Sequence, residues 1–150
     1  MRILGIDPGS LKSAIVEWDG QAVTSAREDY NTALLPWIAQ EASFNLCAIE
    51  SPTGWTRAGH AMTNEVMETI RTVGAFRYVV EERKRVADLI TPPTIRAFLC
   101  GSARANDKDV KKMLVARYAD DLKFWGITNT HYRAALAVAI TADAIYWGSK

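Results

Sequence analysis

Apolar positions along this chain follow two periods. Ile3, Leu4 and Ile6 form a short run that ends on Asp7-Pro8-Gly9-Ser10, the pattern of a buried strand stopped by a turn. Residues 13–18 predict a second strand, and Asp19-Gly20 behind it is a hairpin signal. Residues 21–27 continue as a third strand, polar enough for a sheet edge. Leu34, Leu35, Ile38 and Ala42 then recur near helical spacing over 32–43, with Pro36 in the first turn, where proline is tolerated. A fourth strand, 45–50, ends on Glu50-Ser51-Pro52.

Beyond a Gly-containing loop over 51–59, a helix is expected from about 60 to 80. Its stripe runs through Met62, Val66, Met67, Ile70 and Val73, with Gly74 as a point of kinking or ending. Residues 81–85 are a charged run, and 86–90 a fifth strand stopped by Thr91-Pro92-Pro93. A short helix ending at Gly101 follows. A second helix over 108–118 is capped by Asn106 or Asp107. Residues 120–129 read as irregular, and an Ala-rich helix closes the chain over 132–147. Strand, hairpin, helix, strand, helix, strand and helices make an α/β protein with a mixed sheet flanked by helices.

The 150 residues predict one domain spanning 1–150. No apolar run approaches a membrane span, and the N-terminus carries no signal-peptide pattern, so a cytoplasmic location is expected. Cys47 and Cys100 lack metal-site spacing and read as reduced core residues. The net charge of +1 conceals a gradient. Residues 1–70 hold four Lys/Arg against nine Asp/Glu, whereas residues 71–123 hold twelve against seven. That distribution suits a protein that gathers cations at one place and a polyanion at another.

Asp7 and Glu50 each end a strand, where open sheets keep their sites. Two such carboxylates close together need compensation, and a divalent cation supplies it. Mg²⁺ favours one or two carboxylates together with water and substrate phosphate.

The ordered motifs resemble the RuvC-type Holliday junction resolvases of the ribonuclease H-like superfamily. Gly5-Ile6-Asp7-Pro8-Gly9-Ser10 is similar to the family's opening motif, and Ala48-Ile49-Glu50 to its second acidic strand. Gly101-Ser102-Ala103 with Lys108-Asp109-Val110-Lys111-Lys112-Met113 resembles its basic helix segment, and residues 131–141 its C-terminal helix. The likeness runs from residue 2 to about 147.

The resemblance implies a ribonuclease H-like mixed five-stranded sheet with helices on both faces. It also implies a homodimer that grips a four-way DNA junction and nicks it symmetrically, using two Mg²⁺ or Mn²⁺ ions per site. On the same grounds Asp7, Glu50 and His131 would be metal ligands, and Lys108 would lie near the scissile phosphate. A viral or organellar resolvase fits as well as a bacterial one.

The family pattern has an Asp where this chain has Ala134. Residues 131 and 134 share a helix face, so an acid at 134 would stand beside His131. Three readings compete: an Asp-to-Ala change that blocks cleavage and keeps the fold, natural loss of cleavage, or another acid such as Asp143. Asp143 is nine residues on, about 13 Å along a helix axis, too far to substitute. The intact letters around Ala134 favour the first reading.

Arg83, Lys84, Arg85, Arg104, Lys111 and Lys112 are candidate phosphate contacts. Trp55 is a candidate for stacking on an unpaired base, with Arg57 beside it. Besides a junction endonuclease, two functions stay open: a non-catalytic junction-binding protein and a ribonuclease H-like nuclease acting on RNA.

Overall fold

The computed structural model describes residues 1–52, 62–127 and 129–148. The elements run β1 (Ile3–Asp7), β2 (Lys12–Trp18), β3 (Val23–Tyr30), α1 (Asn31–Gln40), β4 (Leu46–Glu50), α2 (Asn64–Glu82), β5 (Val86–Ile90), α3 (Pro92–Cys100), α4 (Asp107–Phe124) and α5 (Thr130–Trp147). The strands form one mixed sheet in the order β3-β2-β1-β4-β5. The hairpin strands pair antiparallel, and β1, β4 and β5 run parallel. This is the expected ribonuclease H-like sheet with helices on both faces.

Alternation along the strands sorts the core into two layers. Leu4, Ile6, Ile15, Cys47 and Ile49 pack against Leu34 and Ile38 of α1 and Val73, Phe76 and Val80 of α2. Ile3, Val16, Leu46 and Ala48 pack against α3, α4 and α5. Asp7 and Glu50, even-numbered steps from Ile3 and Ala48, therefore face the α3–α5 side.

Helix α5 is buried at every position from Ala135 to Ala142. It approaches β1 closely because Gly5 has no side chain: a Cβ there would overlap the Ala135 carbonyl oxygen and the Ala139 methyl. The seat on Gly5 fixes the height of α5 over β1 and sets its first turn above Asp7.

Four expectations are corrected. Strand β3 starts at Val23 rather than 21, because the Asp19 side chain accepts from the Gln21 and Ala22 amides and keeps those residues in the turn. Helix α2 passes through Gly74 to Glu82, since Val73, Phe76 and Val80 anchor both sides of the glycine. Met62 and Met67 of its predicted stripe are exposed. Helix α4 continues to Phe124, with a kink at Tyr118 instead of an end. Burial of Leu122 holds the added turn, and the Trp125 indole just beyond it donates to the Val23 carbonyl at 2.8 Å. No helix among the described residues is long and apolar enough to cross a membrane.

Candidate active site

Ile6 pairs with Ile49 in the parallel β1–β4 ladder, so Asp7 and Glu50 leave adjacent strands side by side. Both line one cavity of about 270 Å³, together with Arg96 of α3, Asp107 and Val110 of α4, and Thr130, His131 and Ala134 of α5. The Asp7 side chain is 16% exposed, and its Oδ2 lies 2.8 Å from Nδ1 of His131, which is 67% exposed.

Burial pushes the Asp7 carboxyl above its ordinary pKa of 3.8; the His131 bond and charge oppose the rise, and the Glu28 charge adds to it. Glu28 belongs to the same row of the sheet, since Asp7 pairs with Ala14 and Ala14 with Glu28. Glu50 is pushed up to about 7, first by burial, then by the negative charges of Asp7 and Asp107, against the opposing charges of Arg96 and His131. Two desolvated carboxylates thus repel each other at the open end of a cavity, an arrangement that a cation relieves.

Asp7 and Glu50 are hard oxygen donors and fit Mg²⁺ or Mn²⁺ that completes its shell with water and phosphate. Among the described residues no three His, Cys, Asp or Glu side chains converge closely enough to hold a metal unaided. The methyl group of Ala134 lies on the cavity wall. Asp143 is engaged elsewhere: its Oδ2 accepts the Trp18 indole N–H at 3.2 Å.

Compared with solved structures, the chain matches the RuvC structure of Thermus thermophilus with a TM-score of 0.71 at 17% identity, over 99% of this chain and 97% of that one. The chain shares its fold with RuvC. Thermus thermophilus RuvC in complex with a Holliday junction substrate matches with a TM-score of 0.74 at 15% identity, over the same shares. No protein-family model and no curated sequence matches the chain.

The other expected residues divide by position. Lys108 and Lys111 line a second cavity, of about 230 Å³, with Arg133; it shares Asp107, Val110, Thr130 and Ala134 with the first. Lys112 is exposed on the same helix, and Arg104 is exposed in the loop before it.

Residues 83–85 lie elsewhere. They precede β5, whose Val86 pairs with Leu46 at the start of β4, while Ile90 pairs with Glu50 at its end. Arg83, Lys84 and Arg85 are therefore at the opposite end of the sheet from the carboxylates. The Arg83 guanidinium donates to the Ile38 and Ala42 carbonyls, both at 2.6 Å, and stacks over Phe44. It closes the end of α1. Trp55 and Arg57 lie outside the described residues.

Two cavity residues were not singled out for chemistry in the sequence. Arg96 and Asp107 face Glu50 as an ion pair, Nη2 to Oδ1, at 3.0 Å. Asp107 read only as a candidate helix cap. Arg96 carried no signal beyond being a cation shortly after the Pro-Pro stop.

Proposed function

We propose that this chain is a metal-dependent, structure-selective endonuclease domain of the RuvC type, spanning residues 1–150. Its substrate is the four-way DNA junction, and it acts as a homodimer in which each subunit makes one nick. The observation that carries the reading is the placement of Asp7 and Glu50 on one cavity at the ends of two adjacent parallel strands, with His131 bonded to Asp7 from the closing helix.

Asp7 and Glu50 would hold the metal, with His131 beside them. Two Mg²⁺ or Mn²⁺ ions in such a site supply charge stabilisation and an activated water for phosphodiester hydrolysis. The chain's own residues do the rest. His131 orients the Asp7 carboxylate through its Nδ1 contact. Lys108 and Lys111, in the adjoining cavity, bind the phosphates that flank the cleaved bond. Arg96 balances Asp107 at the cavity wall. Met62, just before α2, and Met67, in its exposed N-terminal half, supply the dimer contact.

Ala134 supports a second, narrower reading for the chain with this sequence: it binds junctions and cuts them poorly or not at all, because the cavity lacks one acid. Gel-shift and nicking assays on a four-way junction, a flap, a duplex and an RNA–DNA hybrid test both readings, for this chain and for Ala134→Asp. Junction-selective binding by both proteins, with Mg²⁺-dependent nicking by the variant, is expected. Absence of metal-dependent nicking by Ala134→Asp would overturn the endonuclease reading, and preference for the hybrid would redirect it to RNA.

A further inference from the structure

Two polar side chains, Ser13 of β2 and Asn31 of α1, hold the backbone of the turn that follows Asp7, and a third, Thr72 of α2, bonds to Asn31. The Gly9 amide donates to Ser13 Oγ of β2 at 3.1 Å, and that hydroxyl donates to Asn31 Oδ1 at 2.6 Å. Asn31, the first residue of α1, returns its Nδ2 to the Gly9 carbonyl at 3.0 Å and to Thr72 Oγ1 at 3.3 Å. Thr72, on α2, donates in turn to the Glu68 carbonyl at 3.0 Å. The Asn31 backbone amide also holds the Leu11 carbonyl at 2.9 Å.

Every donor in this chain of bonds has an acceptor, so the direction of each bond fixes the next. Ser13 and Thr72 are 2% and 8% exposed and, with Thr141, are the buried polar side chains among the described residues. The turn itself is tight: a Cβ on Gly9 would overlap the Lys12 carbonyl oxygen. Backbone bonds suffice to close most turns of this kind. Here a side-chain amide holds both the N–H side, through Ser13, and the C=O side of a single glycine.

Helix α2 reaches the carboxylates as well. Thr69, one turn before Thr72, lines a small cleft with Asp7, Pro8, Glu50 and Pro52. The Asn31 amide therefore joins the turn that carries Asp7 to the helix that flanks the same carboxylates on their other side.

We propose that Asn31 is a positioning residue that locks the Asp7 turn to α2 and so presets the Asp7–Glu50 spacing met by a divalent cation. The inference rests on the metal-site reading above. Outer hydrogen-bond partners of a metal site commonly change metal affinity by about 10- to 100-fold; Asn31 acts on the ligand through its backbone, so about tenfold is expected.

The test is Mn²⁺ binding to the full chain, read from the electron paramagnetic resonance signal of free Mn²⁺, with the urea unfolding midpoint measured in metal-free buffer. Asn31→Ala and Ser13→Ala should weaken Mn²⁺ binding about tenfold, and Ser13→Thr, which keeps the hydroxyl, should restore it. Thr72→Val keeps the bonds to Gly9 and cuts only the link to α2; about threefold weakening is expected, and this variant decides the question if Asn31→Ala does not fold. A purely structural network would lower the unfolding midpoint and leave Mn²⁺ affinity within twofold of the parent, which would overturn the proposal. Asp7→Asn separates the two levels. Parent binding lost in Asp7→Asn but unmoved by the network variants refutes the positioning role alone, and a parent that binds no Mn²⁺ refutes the metal site itself.

Discussion

Replacing Glu50 by Gln should make the metal-free protein more stable and less functional. In the folded chain Glu50 is pushed from an ordinary 4.5 up to about 7 by burial and by the charges of Asp7 and Asp107. The folded state therefore keeps a proton that the unfolded chain has lost. Stability is greatest below pH 4.5 for this group and falls as pH rises toward 7. Each pH unit across that interval costs about 1.4 kcal/mol, so the full cost above pH 7 is about 3 kcal/mol.

Glu50→Gln keeps the shape and removes the charge. Urea unfolding of parent and variant without divalent cations should coincide near pH 4 and diverge through pH 5, 6 and 7. At pH 8 the variant should lead by about 3 kcal/mol, about 10 °C in melting temperature for a chain of this size. Mg²⁺ should then raise the stability of the parent by mass action and act much less on the variant. A difference between the two proteins that does not change with pH, or a variant less stable at pH 8, would refute the account of a strained carboxylate pair.

Three further outcomes rest on named contacts. Gly5→Ala should cost more than about 3 kcal/mol in urea unfolding, because the new methyl meets the Ala135 carbonyl and α5 cannot keep its seat on β1. Arg83→Ala should cost about 2 kcal/mol, since two carbonyls at the end of α1 lose their donor, and junction affinity in a gel shift should not move. Charge reversal at Lys111 and Lys112 should weaken junction binding and reduce the slope of log affinity against log salt by about 2; the same reversal at Lys84 and Arg85, at the far end of the sheet, serves as its control and should have a smaller effect on both quantities.

Much of the fold was legible because each strand of the sheet leaves a simple trace. β1, β4 and β5 are short apolar runs with abrupt polar stops, and the two carboxylates stand at such stops. Boundaries failed where side chains overrode periodicity. The Asp19 side chain captured two amides and delayed β3. Leu122 and Trp125 extended α4 through a stretch with no regular pattern.

The site was legible to the extent that its residues carry unusual local sequence. Asp7 before Pro-Gly and Glu50 before Ser-Pro do so. Arg96 and Asp107 do not, because their place at the cavity depends on how α3 and α4 pack over β4 and α5. A run of cations such as 83–85 looks the same in sequence whether it faces DNA or, like Arg83, closes a helix with two backbone bonds.

The same geometry explains why the side chain at position 134 can change without disturbing the fold. The seat of α5 depends on Gly5, Ala135 and Ala139, and its middle is held by eight consecutive buried residues. Residue 134 precedes that stretch and faces the cavity, where its side chain is bounded by Asp107, Val110 and Thr130 rather than by the core. A carboxylate there would add a fourth acidic side chain, beside Asp7, Glu50 and Asp107, to a place that already raises Glu50 to about 7. Without metal, Ala134→Asp should therefore lower stability at pH 8 and leave it nearly unchanged below about pH 4; with Mg²⁺ the loss should shrink. A variant with unaltered stability at both pH values would mean that residue 134 lies too far from Asp7 and Glu50 to share a cation with them.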